Sequence, residues 1–268
     1  MTAIQAGAAR TRTSAYRVTF AHQVRSELLK LLTVRGTWWS VAIVAVLNVG
    51  LAFAITSTLS APADVMMAVV APVQFTMLLA GILGVISVTG EYSTGMIRST
   101  LTANPVRGSV LAAKAAVLAA FMFVVALVIM LITAIAITPL AVANDLGIAW
   151  NEPEQSILPI VSAAGTMALF AILGVGLGFV LRSGAGAIAV TVGILFVLPI
   201  IVSLLMGFAP DVTWIQTLGD YLPSNAVQSA VMPSEEWGLS RGEAWLTLTG
   251  WSAAALLGGW AVLRGRDA

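Results

Sequence analysis

Six continuous apolar stretches, each near the ~20 residues that a helix needs to cross a hydrocarbon core of ~30 Å, limit what this chain can fold into. They lie at 37–59, 66–88, 110–139, 157–181, 185–208 and 244–263. Such runs predict helices, because a barrel strand would alternate apolar and polar residues over segments of ~10. Of the 268 residues, 59% are hydrophobic and only 9% charged, with a mean hydropathy of +0.98, whereas a soluble domain carries roughly 25% charged residues. A water-soluble fold of this length could not bury so much apolar surface. The expected fold class is an all-α membrane protein with six transmembrane helices. Pro72, Pro199 and the cluster Gly174, Gly176 and Gly178 fall inside the apolar stretches, as proline and glycine commonly do in membrane helices.

The net charge of +1 matters less than where the charges sit. Arg10, Arg12, Arg17, Arg25, Lys30 and Arg35 precede the first stretch; Arg98, Arg107 and Lys114 follow the second; Arg182 follows the fourth; Arg264 and Arg266 follow the sixth. With six crossings these all fall on one side, which the positive-inside rule makes cytoplasmic. The opposite loops hold Arg241 alone among basic residues, while Asp64, Asp145, Glu152, Glu154, Asp211, Asp220, Glu235, Glu236 and Glu243 collect there. Both termini are therefore expected in the cytoplasm. No cleavable signal peptide is expected, since the first long apolar run is already of spanning length and reads as a signal anchor.

Ahead of the first span, residues 1–15 read as a disordered cytoplasmic tail and 16–36 as an amphipathic interfacial helix. Phe20, Val24, Leu28, Leu31 and Leu32 fall on one helical face, and His22, Gln23, Arg25, Ser26 and Lys30 on the other. The polar face would meet anionic lipid headgroups, or the helix would simply anchor the span that begins at Trp38 and Trp39. Residues 37–268 form the transmembrane domain, with a cytoplasmic loop at 89–109 and an outer loop at 209–243. That outer loop, with Trp214, Tyr221 and Trp237, is too long for a simple connector. Gly174 and Gly178 would bring two helices close, within the chain or between copies, and Pro199 would kink the fifth span.

The loop from Thr89 to Arg107 is the most informative. Ser93 or Thr94 can cap a helix of two to three turns, and Asn104-Pro105 would end it. Met96, Ile97 and Leu101 would make a small apolar patch on this otherwise polar helix. The patch would dock into a groove on a partner, or pack against the chain's own bundle.

A Glu-x-x-x-Gly at the exit of the second span (Glu91, Gly95), a short Met96-Ile97-Arg98 helix, then Pro105-x-Arg107 and Lys114 entering the third span resemble the type-two permeases of bacterial ATP-binding-cassette (ABC) exporters. The likeness extends to Glu27-Leu28-Leu29-Lys30-Leu31 in the leading helix and to Tyr221-Leu222-Pro223 in the outer loop. It implies that the 89–109 loop holds the coupling helix, with Glu91, Gly95, Met96, Ile97, Arg98, Leu101 and Arg107 against an ATPase subunit. It also implies short outer helices dipping into the membrane as an external gate. The implied assembly has two copies of a cytoplasmic ABC ATPase and a second permease half, identical or related, in a bacterial inner membrane. No Gly-x-x-x-x-Gly-Lys loop occurs in the sequence, so ATP and magnesium would be held by the partner and the chain itself would be no enzyme.

Other functions are less favoured by the residues present. No cysteine occurs, so thiolate chemistry and Cys-ligated metals are excluded, and a single histidine leaves little for a metal or hydrolytic site. No ionisable residue falls near mid-membrane, where proton-coupled carriers place one; sodium coupling through broken-helix carbonyls stays open. A mechanical transmitter with the same fold that moves no solute is the main alternative. Neither nucleic acid nor a bound cofactor is expected, and membrane lipid is. The polar side chains within the spans, Asn48, Gln74, Thr76, Thr191 and Ser203, are all neutral, so a pathway lined by them would favour an amphiphilic or lipophilic cargo.

The charge asymmetry generates a first prediction: a reporter active only in the cytoplasm gives signal when fused after Arg107 or Arg266 and none after Glu154 or Glu236. Signal in the reverse pattern would invert the topology.

Overall fold

The computed structural model describes residues 19–59, 65–104, 106–209, 212–232 and 238–265. The expected tail at 1–15, the start of the leading helix, Pro105, and Trp237 with its neighbouring acids lie outside the described residues. Among the described residues every regular element is helical. Six helical stretches are long and apolar enough to cross a membrane: Arg35–Thr56, Val65–Ser93, Arg107–Ala143, Ile157–Leu181, Gly184–Phe208 and Arg241–Gly265.

Helix α1 (Phe20–Thr33) starts at Thr19, whose side chain accepts from the His22 backbone N–H. It ends at Val34, which is extended (φ −79°, ψ 114°), so the predicted helix over 16–36 does not continue unbroken into the first span. A single extended residue re-aims the chain, and α2 (Arg35–Thr56) follows. The second span is broken in two, α3 (Val65–Val70) and α4 (Val73–Ser93), at Ala71-Pro72. Proline lacks the N–H that a continuous helix would need there.

After the short α5 (Met96–Ala103), α6 (Arg107–Ala143) has 37 residues, about 55 Å at 1.5 Å per residue, so it overreaches any hydrocarbon core. Helix α7 (Ile157–Leu181) follows it. The fifth span runs as α8 (Gly184–Val192), a π-helical turn at Gly193–Val197 and α9 (Leu198–Phe208). The wide turn sits just before Pro199, where the ring would otherwise crowd the carbonyl one turn back. Two short helices, α10 (Thr213–Asp220) and α11 (Pro223–Val231), occupy the loop before α12 (Arg241–Gly265).

Helix α7 is the hub of the bundle, packed against α4, α6 and α12, with α11 closing over α7 and α12. Its glycines make this possible. A Cβ on Gly174 would overlap the Gly81 carbonyl oxygen of α4, and one on Gly176 would overlap the Ala255 carbonyl of α12. The small-residue seam therefore serves helix contacts within the chain, with backbones touching where side chains would hold them apart. By contrast, only 17% of the apolar window in Arg35–Thr56 and in Gly184–Phe208 is buried. These two spans present most of their apolar surface outward.

Replacing Gly174 by alanine must push α7 and α4 apart, at about 1–3 kcal/mol for an overpacked contact. We expect a clear drop in melting temperature in detergent, and none for Gly50→Ala, where nothing lies within 4 Å. Equal melting of the two variants would show that the seam is not tight.

Candidate functional site: a buried charge cluster

Four ionised side chains from three helices meet at one end of the bundle, the end that carries Arg98, Arg107, Arg182 and Arg264. Lys30 Nζ donates to Glu27 Oε1 at 2.7 Å and to Glu91 Oε1 at 2.7 Å. Lys114 Nζ donates to Glu27 Oε2 at 2.5 Å and to Glu91 Oε1 at 3.0 Å. Two carboxylates and two ammonium groups cancel. Glu91 and Lys114 are almost wholly buried, their side chains 4% and 2% exposed, whereas the Lys30 side chain is 36% exposed. Unpaired, a carboxylate or ammonium at such depth would be strongly disfavoured.

Each member is placed by its own helix. Glu27 and Lys30 are three apart on α1 and, with Gln23, form the face that turns to α6, where the Ser109 hydroxyl donates to Gln23 Oε1 at 3.1 Å. Gln23 and Lys30 therefore leave the outward polar face on which the periodicity placed them. His22, Arg25 and Ser26 are exposed, as are Phe20, Leu28, Leu29 and Leu32. Glu91 sits in the last turn of α4 and Lys114 two turns into α6.

Burial pushes the Glu27 carboxyl up, but Lys114 and then Lys30 outweigh it and hold it below its ordinary value of 4.5. Burial likewise pushes Lys30 down, and its hydrogen bonds to Glu27 and Glu91 outweigh this and raise it above 10.5.

The corner between α4 and α5 explains the Glu-x-x-x-Gly spacing. Gly95 takes the left-handed conformation (φ 72°), which lets the chain turn out of α4 and start α5 one residue later. Ser93 and Thr94 do not cap α5. Their hydroxyls bond back to the Gly90 carbonyl at 3.0 and 2.8 Å because α4 continues to Ser93. On α5, Ile97 is buried and Leu101 half-buried against the chain's own core, while Met96 and Arg98 are exposed.

Arg107 Nη1 donates to the Leu263 carbonyl at 2.7 Å and Arg182 Nη2 to the Val262 carbonyl at 3.2 Å, so two guanidinium groups cover the carbonyl end of α12. Arg182 also lies over the Tyr92 ring, 5.2 Å from its centroid.

The neutral polar residues of the spans are dispersed. Asn48 Nδ2 donates to Thr76 Oγ1 at 3.1 Å, and the Thr133 hydroxyl donates to Asn48 Oδ1 at 3.4 Å, all three wholly buried. Thr191 is buried against Gly81 and bonds the Ala187 carbonyl. Gln74 is half-buried and Ser203 exposed. What sequence reasoning missed is Thr133 and the pairing of Glu91 with Lys30 and Lys114, which also hold Glu27. A usable signal existed: Glu27 and Glu91 are acids at the end where basic residues collect. Among the described residues no group of three or more His, Asp or Glu is placed to hold a metal ion. No protein-family model matches this chain, and no curated protein matches it.

Lys114→Met strands two carboxylates beside one ammonium and should cost about 3–5 kcal/mol, as breaking a buried pair does; Lys114→Met with Glu91→Gln restores neutrality and should recover much of the lost melting temperature. The Glu27 contribution is present above pH 4.5 and is lost as pH falls through its lowered value. That of Lys30 is present below pH 10.5 and is lost as pH rises through its raised value. Wild type should thus out-melt Glu27→Gln at pH 7, with the gap closing below pH 4.5. A gap independent of pH would refute the ionised pairing.

Proposed function

We propose that this chain is the permease half of an ATP-driven exporter, with the basic end of the bundle in the cytoplasm and α1 lying in the membrane interface. The observation that carries this reading is the mounting of α5. Its inward face, Ile97 and Leu101, is seated in the core, its outward face offers Met96 and Arg98, and its hinge at Gly95 lies one turn beyond Glu91. A push on α5 therefore acts directly on a residue ion-paired to α1 and α6. The order of Glu91, Gly95, Met96-Ile97-Arg98, Arg107 and Lys114, and its resemblance to type-two ABC permeases, supply the nature of the partner.

In this reading two copies of a separate ATPase subunit bind ATP and magnesium and dock beneath α5. A second permease half, identical or related, covers the outward faces of α2 or of α8 and α9, which are largely unburied within one chain. The two halves would enclose the pathway. Its cargo is amphiphilic or lipophilic, because the buried polar groups Asn48, Thr76 and Thr133 already bond one another and the remaining span surface is mainly apolar.

The test uses exposed residues, since an aspartate at buried Ile97 would damage the fold itself. Met96→Asp combined with Arg98→Glu should weaken association with a co-expressed ATPase subunit about tenfold or more, a loss of ~1.4 kcal/mol. ATP turnover of the purified complex should fall in step while insertion and melting of the permease stay unchanged. Unaltered co-purification and turnover would overturn the assignment of α5 as the coupling helix.

A further inference from the structure

A cleft of about 300 Å³ opens between α1, the first turn of α2, α4 and α6, with the charge cluster at one end. Its walls are mainly apolar and include Leu31, Val34, Leu83, Ile86, Val117 and Leu118. Its lip is apolar as well: Val34 and Ile86 are each more than 40% exposed. Such a lip opens most favourably toward hydrocarbon, at the level where a surface helix joins its first span.

The charged end is incompletely satisfied. Glu91 Oε1 accepts from both lysines, but Glu91 Oε2 is buried with no donor. Lys30 uses two of its three N–H donors within the cluster and is the most exposed of the four. Thr37, 5% exposed, also lines the cleft and brings a hydroxyl to it. The cleft thus offers an acceptor that lacks a cationic donor, a cation with a donor to spare, and an apolar wall between them and the membrane.

We infer that this cleft binds one phospholipid bearing a primary ammonium headgroup, of the phosphatidylethanolamine type. Its ammonium supplies the donor that Glu91 Oε2 lacks, its phosphate accepts from Lys30 and Thr37, and its acyl chain leaves along Val34 and Ile86. A zwitterion keeps the buried site neutral. An anionic lipid would add uncompensated charge beside two carboxylates, and a choline headgroup carries the same cation with no N–H to donate. The inference rests on the chain spanning a bilayer and not on the exporter reading.

Native mass spectrometry of the full-length protein, purified in detergent without an ATPase, tests it with phosphatidylethanolamine, phosphatidylcholine and phosphatidylglycerol of identical acyl chains in competition. One molecule of phosphatidylethanolamine should be retained in about tenfold preference over phosphatidylcholine, the worth of a hydrogen bond to a charged group. Ile86→Trp, which fills the mouth, and Thr37→Val should each reduce that retention at unchanged melting temperature; Val34→Trp serves if Ile86→Trp melts early. Equal retention of phosphatidylcholine, displacement by phosphatidylglycerol, or full retention in the folded mouth-filling variant would each overturn the site. Because no ATPase takes part, these failures leave the exporter reading untouched, and loss of ATPase docking would leave the lipid site untouched.

Discussion

A carboxylate cannot be taken out of water beside apolar helices unless cations and donors come with it, and Glu91 meets that demand with lysines from two other helices. Lys30 comes from α1 and Lys114 from α6, and Glu27 returns to both lysines. The pairing is neutral, and its main consequence is geometric. Swapping such a group for apolar side chains of similar volume would often cost little stability. What charged pairs add is a definite arrangement, since any slip of α1 along the bundle would strand ions at depth. The helix that precedes the first span is held to the helices that flank the α4–α5 corner.

The apolar bundle supplies cohesion of a different kind. Within lipid, apolar contacts between helices gain little from leaving water, so close packing and interhelical hydrogen bonds decide which helices meet. Helix α7 touches α4 and α12 at backbone distance through Gly174 and Gly176, and Asn48 ties α2 to α4 and α6 through Thr76 and Thr133. Helix α2 buries few residues fully, and besides these polar contacts it is attached by Val41, Val44 and Ala52 against the core and by Trp38 edge-on to Phe121. The bundle thus has a tightly seamed centre and two loosely covered spans.

The inversion of α1 joins these themes. An amphipathic helix on a water-soluble protein would turn its leucines inward. Here Gln23, Glu27 and Lys30 face the bundle, and Leu28, Leu29 and Leu32 face out. The arrangement is economical where those leucines meet apolar surroundings, because exposed leucines then cost nothing while Glu27 and Lys30 find partners within the protein.

The number of helices long and apolar enough to cross a membrane, their approximate limits and the short helix between the second and third were legible in the sequence, because hydropathy over ~20 residues is a local property. Pro199 likewise marks the disturbance of the fifth span locally, whereas the break of the second span at Ala71-Pro72 went unread. The inward face of α5, the inward turn of Lys30 and the meeting of Glu27, Glu91 and Lys114 were decided only by tertiary structure. Glu27 and Lys114 are 87 residues apart, and Glu91 and Lys30 are 61 apart. Nothing in the periodicity of one helix states which charge another will bring to it. Desolvation energy depends on what surrounds a group, and those surroundings exist only once the helices have packed.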